Sequence, residues 1–414
     1  MSKPLMRIPY TGPLPPPVIF PRSANTSSGA IHAISKFLFN PSDSARGDGS
    51  KKTVLLTGAG ISVASGLADY RGTGGTYTLN KTYRPIYYHE FISNHEARKR
   101  YWARSFLGWT NLNRAKPNVA HYAVRDLGSA GLLSSVITQN VDSFHSTAHP
   151  RLKTIELHGY LRSLVCIHCH NELPRKEFQK DLTTLNPAWA AFLDEMLAVG
   201  ALDSENPDER KAKGLRSNPD GDVDVPNAPY STFRYPACPT CLATPPTLAD
   251  GSKAKVEIDH DGAWSPSSTA GVLKPAVIMF GESIHADVKS EVEKAIDDAA
   301  RVLVVGSSLA TYSAFRLIKK AKGQGKPIGI LNLGGIRGEQ DFFTEIPAIN
   351  QGELGVRCNE SASSILPLIV DGLKRAGVFE SNPKIWHEMK WVILDIMSLH
   401  LCECLHEHCD SLGI

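Results

Sequence analysis

Residues 53–62 read TVLLTGAGIS, a short β-branched and aliphatic run that ends abruptly on Gly58-Ala59-Gly60-Ile61-Ser62. An apolar run without polar alternation is the mark of a strand buried on both faces, as in a parallel sheet. Small residues directly after such a strand let backbone amides approach a pyrophosphate closely. By itself the turn is weak evidence, because it is not a full Gly-x-Gly-x-x-Gly and many such turns are only tight connections. Working outward, the same pattern recurs at 136–139, 276–280, 301–306 and 327–333, with helical periodicity at 96–109, 118–127, 287–300 and 313–322. Strands alternating with helices predict an α/β, Rossmann-like, doubly wound parallel sheet whose ligands lie off the carboxyl ends of the strands.

Two Cys-x-x-Cys pairs, Cys166/Cys169 and Cys238/Cys241, interrupt this alternation. Four thiolates in two knuckles supply a closed tetrahedral structural zinc site. A redox pair or four core cysteines are the alternatives, and a redox pair leaves the second knuckle unexplained. The expected organisation is therefore a doubly wound domain from 51–160 and 273–375 with a smaller zinc ribbon inserted at 161–272. Within the ribbon, 204–229 is rich in Asp, Asn, Pro, Gly and Lys and reads as a flexible insertion.

The 414 residues are 42% apolar and carry a net charge of +3, which gives no warrant for a nucleic-acid or membrane-surface role. No run reaches the roughly 18 apolar residues of a membrane span. Eight cysteines without a secretory signal fit a reducing compartment, where zinc is a better reading than disulfides. Residues 1–42 lack Asp and Glu but contain Lys3, Arg7, Arg22 and Lys36, so 1–50 reads as a disordered leader with transit-peptide composition. The prolines from Pro13 to Pro17 oppose an amphipathic helix there. The extension 376–414 ends in Cys402, Cys404, His406, His408 and Cys409. Their spacing is not that of a standard knuckle, and a packed helix or an artefact of the gene prediction explains them better than a second metal site.

Polar groups gather at the expected carboxyl edge. Gln139, Asn140 and Asp142 end one strand, Gly306-Ser307-Ser308 another, and Asn332-Leu333-Gly334 a third. Amides and a carboxylate there suit a ribose and a carboxamide, and several such ends together suggest a dinucleotide lying across the sheet. Asp69-Tyr70-Arg71, followed by Gly72, Gly74 and Gly75, reads as a loop closing over a cofactor, or as a surface ion pair. His158, between Leu157 and Gly159, has the side chain best suited to proton transfer near neutral pH, although a lone histidine is usually structural.

Taken in order, GAGIS, DYR, TQNVD, ELHG, the two knuckles, KPAVIMFGE, GSSL and LNLG closely resemble the sirtuins, NAD-dependent protein lysine deacylases. The resemblance runs from about Lys51 to about Leu368. Within it, RPIYYHEF and RKRYWARSFLGW are similar to the class II, mitochondrial sirtuin-four type. The resemblance implies that Gly58, Ala59, Gly60, Ile61, Asp69, Tyr70 and Arg71 bind NAD. It implies that Gln139, Asn140, Val141 and Asp142 frame the nicotinamide ribose, with His158 as catalytic base beside Asn140. Gly306, Ser307, Ser308, Asn332, Leu333, Gly334 and Cys358 would meet the adenosine half, and Val277, Met279, Phe280, Gly281 and Glu282 would bind the acyl-lysine peptide by strand addition.

The implied reaction moves the acyl group to ADP-ribose, releasing nicotinamide and lysine, with one structural zinc outside the chemistry. The implied partners are acyl-lysine proteins, with neither nucleic acid nor membrane, and the implied location is the mitochondrial matrix, with the cytoplasm or nucleus as the alternative. A protein mono-ADP-ribosyltransferase using the same NAD site is the alternative activity. Departures from the family pattern are Ala68 in place of a proline, the long insertion between the knuckles, and the acyl-reading motif. Desuccinylating relatives use Tyr-x-x-Arg, whereas here Tyr77 is followed by Asn80, with Arg84 nearby. That disfavours succinyl and malonyl groups.

Overall fold

A computed structural model of the chain describes residues 12–39, 52–72, 74–79, 84–203, 207–217, 222–344, 346–347 and 350–378. Its main sheet has six strands: β1 (Thr53–Thr57), β2 (Leu133–Thr138), β3 (Thr154–Glu156), β9 (Arg301–Val305), β10 (Ile328–Leu331) and β11 (Gly355–Cys358). Their order is β11-β10-β9-β1-β2-β3 and every pairing is parallel. This is the doubly wound arrangement, reversing between β1 and β9. All five residues of β1 are buried, as the unbroken apolar run requires: Leu55 enters one core and Val54 and Leu56 the other.

Helices cover both faces. Against Leu55 pack α1 (Ser27–Leu38), α3 (Val119–Ser129) and α8 (Ala362–Arg375); against Val54 and Leu56 pack α6 (Ala286–Asp298) and α7 (Tyr312–Gly323). Several start where the sequence supplies a capping oxygen, as when the Asn118 side chain accepts from Ala120 N at 2.9 Å. The expected helices are present within one to five residues at each end. Strand 136–139 begins earlier, at Leu133.

Three expectations are corrected. The segment 276–280 is not a strand of the parallel sheet: the strand there is β8 (Leu273–Val277), antiparallel to β4 (Gly159–Cys166) in a three-stranded sheet completed by β5 (Glu172–Pro174). A continuous apolar run cannot tell these two settings apart. The leader is not wholly disordered, because α1 buries Ile34 and Phe37 completely in the main core and Phe20 bridges to Arg357. Each such side chain is worth about 1.5–3 kcal/mol on burial, which outweighs the polar, proline-rich flanks. Residues 1–11 and 40–51 lie outside the described residues.

The insertion is the third. Its described residues form a short helix, Pro207–Ala212, and a hairpin of β6 (Arg216–Ser217) and β7 (Val223–Asp224), anchored by buried Leu215 and Val223. Two well-placed apolar side chains suffice to pin a polar segment onto an existing core. That core belongs to the zinc-bearing sheet and is strongly aromatic, with Trp102, Phe106, Phe178, Trp189, Phe233, Tyr235 and Trp264. Trp102 and Phe106 come from α2 (His95–Arg114), so this helix packs with the small module. No helix among the described residues is long and apolar enough to cross a membrane. The Cys/His-rich residues near the carboxyl terminus lie outside the described residues.

Candidate active site and zinc site

The reversal of strand order places the loops after β1 and β9 side by side, and their glycines are what permit this. Gly60 N donates to Gly306 O at 2.9 Å, and a Cβ on Gly60 would stand 2.8 Å from Gly306 Cα. A Cβ on Gly58 would stand 2.8 Å from that of Ser307. The chain then runs through two 3-10 turns, Ala59–Ile61 and Val63–Ser65, rather than directly into an α-helix, with Gly66 at φ 86° between them and the next loop. Ile61 is buried and its carbonyl accepts from Asn118 Nδ2 at 2.8 Å.

Gln139 ties three elements together. Its Nε2 donates to Thr57 O at 3.2 Å and Ser307 Oγ at 2.7 Å, and its Oε1 accepts from Thr311 at 3.0 Å. Asn140 Nδ2 donates to Ser62 Oγ at 3.1 Å, and that hydroxyl donates to Asp142 Oδ2 at 2.7 Å. Burial pushes the Asp142 carboxyl upward, opposed by hydrogen bonds from Phe144 N and Ser62. Val141 O accepts from Leu161 N at 2.9 Å, holding the strand end against β4.

His158 lies immediately before β4, buried, with Nδ1 3.1 Å from Gln139 O and Nε2 2.7 Å from Ser313 Oγ. A carbonyl only accepts, so Nδ1 carries the proton and Nε2 keeps its lone pair, accepting from the serine. Burial pushes the imidazole down to about 4, against the Gln139 carbonyl, which raises it. The ring is therefore a neutral base at physiological pH. Ser313, fully buried in the first turn of α7, was not singled out by sequence, and nothing in a lone helical serine would have done so.

Asp69 closes its own loop, accepting from Gly72 N at 2.9 Å, and burial raises its carboxyl. Tyr70 stacks on Tyr77 at 6.0 Å, and Arg71 lies over the same Tyr77 ring at 5.5 Å. Toward the far edge, Asn332 Nδ2 donates to Leu333 O and Gly334 O, and Gly334 N donates to Asn359 Oδ1 at 2.8 Å. Leu333 is exposed, and Ser308 O accepts from Arg337 N at 2.9 Å. The Cys358 thiol turns into the core toward Ala30 O, away from this edge. The loop instead rests on a buried pair that sequence reasoning missed: Arg357 Nε donates to Glu339 Oε1 at 2.6 Å, and its other nitrogens reach Asn332 O, Gly334 O and Cys358 O. An arginine inside the otherwise apolar strand GVRC was the available signal.

Beside His158 opens a cavity of about 100 Å³ lined by Tyr70, Gln139, Val141, Val277, Met279 and Phe280 together with Tyr101, Arg104, Trp109 and Leu112 of α2. Beyond Val277 the chain turns. Ile278 N donates to His158 O at 2.8 Å, Met279 N to Glu282 Oε2 at 2.8 Å, and Tyr88 N to Phe280 O at 2.9 Å, with Gly281 at φ 85°. Glu282 also pairs with Lys274 at 3.3 Å. The Tyr-x-x-Arg reading is corrected: Tyr77 and Arg84 are not among the lining residues, Arg84 pairs with Glu90 at 2.8 Å, and Asn80 lies outside the described residues. Tyr101-x-x-Arg104, one helical turn apart, puts both side chains on the cavity.

In the small module the four cysteine sulfurs lie within 4.8 Å of one another, with Cys166 to Cys241 at 3.5 Å and Cys169 to Cys238 at 3.6 Å. A tetrahedral ion with arms of about 2.3 Å holds its sulfurs about 3.8 Å apart, so the cluster fits zinc. All four donors are protein thiols, leaving no open position for chemistry.

The Sir2 family profile matches residues 58–313, well over half of the chain. This chain belongs to the Sir2 family. Among similar sirtuins, the NAD-dependent protein deacylase SIR4 of Batrachochytrium dendrobatidis is 42% identical over 294 residues, covering 70% of this chain and 83% of its own. The NAD-dependent protein lipoamidase sirtuin-4, mitochondrial, of Homo sapiens is 33% identical, covering 77% of this chain and 82% of its own. A solved Sir2 homologue mutant in complex with ADP-ribose shares the fold at a TM-score of 0.51 and 21% identity, over 84% of this chain and 98% of that one. The fold of this sirtuin is thus the α/β one expected, with its four-cysteine cluster in a small antiparallel module.

Proposed function

We propose that this sirtuin is an NAD-dependent protein deacylase that removes acyl groups from lysine side chains, with His158 as general base. The observation that carries the reading is the state of His158: a buried, neutral residue lining the cavity, its Nδ1 proton fixed by the Gln139 carbonyl and its Nε2 lone pair accepting from Ser313. That nitrogen holds only a serine hydroxyl, which a substrate hydroxyl can replace. NAD, as co-substrate, supplies the ribose that accepts the acyl group. The chain's contribution is to orient it: Asn140, Ser62 and Asp142 form a connected polar set next to the base, and the paired glycine loops leave backbone close by. Val277, Met279 and Phe280 border the cavity, which supports entry of an extended acyl-lysine peptide there; Gly281 and Glu282 close the turn behind them.

A mitochondrial matrix location is part of the same reading, supported by the named mitochondrial relatives. Because Phe20 and α1 are structural, any processing compatible with the fold falls before Phe20. The test is mass spectrometry of NAD-dependent acyl release from acetyl-, succinyl-, glutaryl-, methylglutaryl- and lipoyl-lysine peptides. Removing a general base typically costs 100- to 10,000-fold, so His158→Ala is expected to lower release by about that factor. Equal release by the variant would remove His158 from the mechanism. ADP-ribose appearing on protein, with no acyl release, would favour mono-ADP-ribosyl transfer.

A further inference from the structure

A second cavity, of about 280 Å³, opens between the amino-terminal end of α2 and the zinc-bearing module, lined by Ile92, His95, Arg98, Ile167, Trp264 and Val272 among others. It shares no lining residue with the cavity beside His158. Arg98 is only 4% exposed and lies over the Trp264 ring at 4.7 Å. Its Nε donates to the Tyr235 hydroxyl at 2.7 Å and its Nη1 to Phe91 O at 2.9 Å and Ile92 O at 3.0 Å, whereas Nη2 donates to nothing among the described residues. His95 Nδ1 lies 2.7 Å from the same Tyr235 hydroxyl. That oxygen accepts from Arg98 and has one proton of its own to give, which Nδ1 accepts, so the imidazole carries its proton on Nε2. Burial pushes His95 down to about 4, with Lys99 and Arg98 adding to the effect, so the ring is neutral.

The chain offers Arg98 no counter-charge at this wall. No carboxylate lines the cavity, and Glu96, the nearest acidic residue in sequence, pairs with Lys99 at 3.2 Å. The thiols of Cys166 and Cys169, which flank His168 of the same wall, contact Cys241 and Cys238 and accept nothing from the guanidinium. A buried cation whose partners are all neutral is costly, and an anion from outside relieves that cost. The cavity also sits at the positive end of a 20-residue helix, which favours the same sign of ligand. We propose that it is a second ligand site, for a small organic carboxylate whose oxygens are received by Arg98 Nη2 and His95 Nε2 and whose apolar body lies against Ile92, Ile167, Trp264 and Val272. A charged donor makes the carboxylate the better fit over a neutral amide, and the apolar wall makes it the better fit over phosphate. The site stands independently of the deacylase reading, since none of its residues belongs to that machinery.

The probe is benzoate, titrated calorimetrically into the full-length, zinc-loaded protein at constant ionic strength, with benzamide and inorganic phosphate alongside. Benzoate is expected to bind with a Kd of about 1 mM or tighter, and the other two about tenfold more weakly or worse. Arg98→Gln is expected to lose about tenfold or more of the benzoate affinity. Because Arg98 also holds the carbonyls of Phe91 and Ile92, a second variant decides the matter if that one fails to fold. Ser93 is an exposed lining residue whose hydroxyl donates only to His89 O, at 2.6 Å. Ser93→Glu puts a carboxylate of the chain's own beside the same donors and is expected to exclude benzoate, while Ser93→Gln leaves binding as it was. Absence of benzoate binding at about 10 mM overturns the proposal, as does equal binding of benzamide or phosphate. Unchanged affinity in folded Ser93→Glu protein overturns it too, since benzoate held in the cavity beside His158 would behave in that way.

Discussion

Acid is expected to destabilise this sirtuin through its buried histidines. His121, His145 and His149 form a row between α3 and the short helix Phe144–Ala148, with ring centroids 4.9 and 5.0 Å apart. His145 lies 2.8 Å from His149 and 2.9 Å from the Thr57 hydroxyl. Burial holds His121 down to about 3, with His149 adding to the effect, and His158 down to about 4. Unfolded, each would titrate near 6.5. Below that value the unfolded chain takes up protons that the native chain refuses, so stability is full above about pH 6.5 and falls as pH drops toward the native value. At pH 5, a histidine with a native value of 4 or less costs about 2 kcal/mol relative to pH 8. His121 and His158 together therefore remove about 4 kcal/mol, a large share of the 5–15 kcal/mol typical of a folded protein. The assay is urea unfolding of wild type and His121→Gln, whose amide oxygen can still accept from Asn118 N, at a series of pH values from 8 to 5. Subtracting one from the other cancels the acid sensitivity of the thiolates. The variant is expected to be less stable at pH 8 and to recover about 2 kcal/mol relative to wild type by pH 5. A stability gap that stays constant with pH would refute the argument.

Zinc removal should act on structure before chemistry. Chelation is expected to expose the aromatic core of the small module, visible as a change in tryptophan fluorescence, and to abolish acyl release because α2 belongs to both that core and the cavity; unchanged fluorescence in zinc-free protein would contradict this. Ser313→Ala removes the neutral hydrogen bond that a substrate hydroxyl must displace at His158 Nε2 and is expected to raise kcat/KM, by up to about tenfold from the 0.5–1.5 kcal/mol such a bond contributes, without altering the unfolding midpoint by more than a few degrees. Unchanged kcat/KM would make that serine a packing residue only.

Much of the site was legible because its chemistry needs particular residue types at fixed positions along the chain. The glycines of GAGIS, the polar ends of β2, β9 and β10, and the lone histidine in ELHG all reach the same carboxyl edge. Cys358 ends β11 at the same edge, where its carbonyl accepts from Asn332 N at 3.2 Å while its thiol turns into the core. The strand at KPAVIMFGE was assigned to the wrong sheet, since a buried apolar strand looks the same in either. A tyrosine–arginine pair was sought at Tyr77, whereas the pair that lines the cavity is Tyr101 and Arg104, inside a stretch valued only for its resemblance to relatives.

What the sequence by itself determined is the class of fold and the four-cysteine cluster, because hydrophobic periodicity and local spacing are properties of neighbouring residues; His158 stood out only through the resemblance to the sirtuins. What only the tertiary structure decided is which distant groups meet. Ser313 reaches His158 across 155 residues, Gln139 reaches Ser307 across 168, and Asp222 reaches Arg104 across 118. No periodicity records such a meeting, since it depends on how packed cores bring separate elements to one point, and there the tautomer of His158 and the charge of the cavity beside it are set.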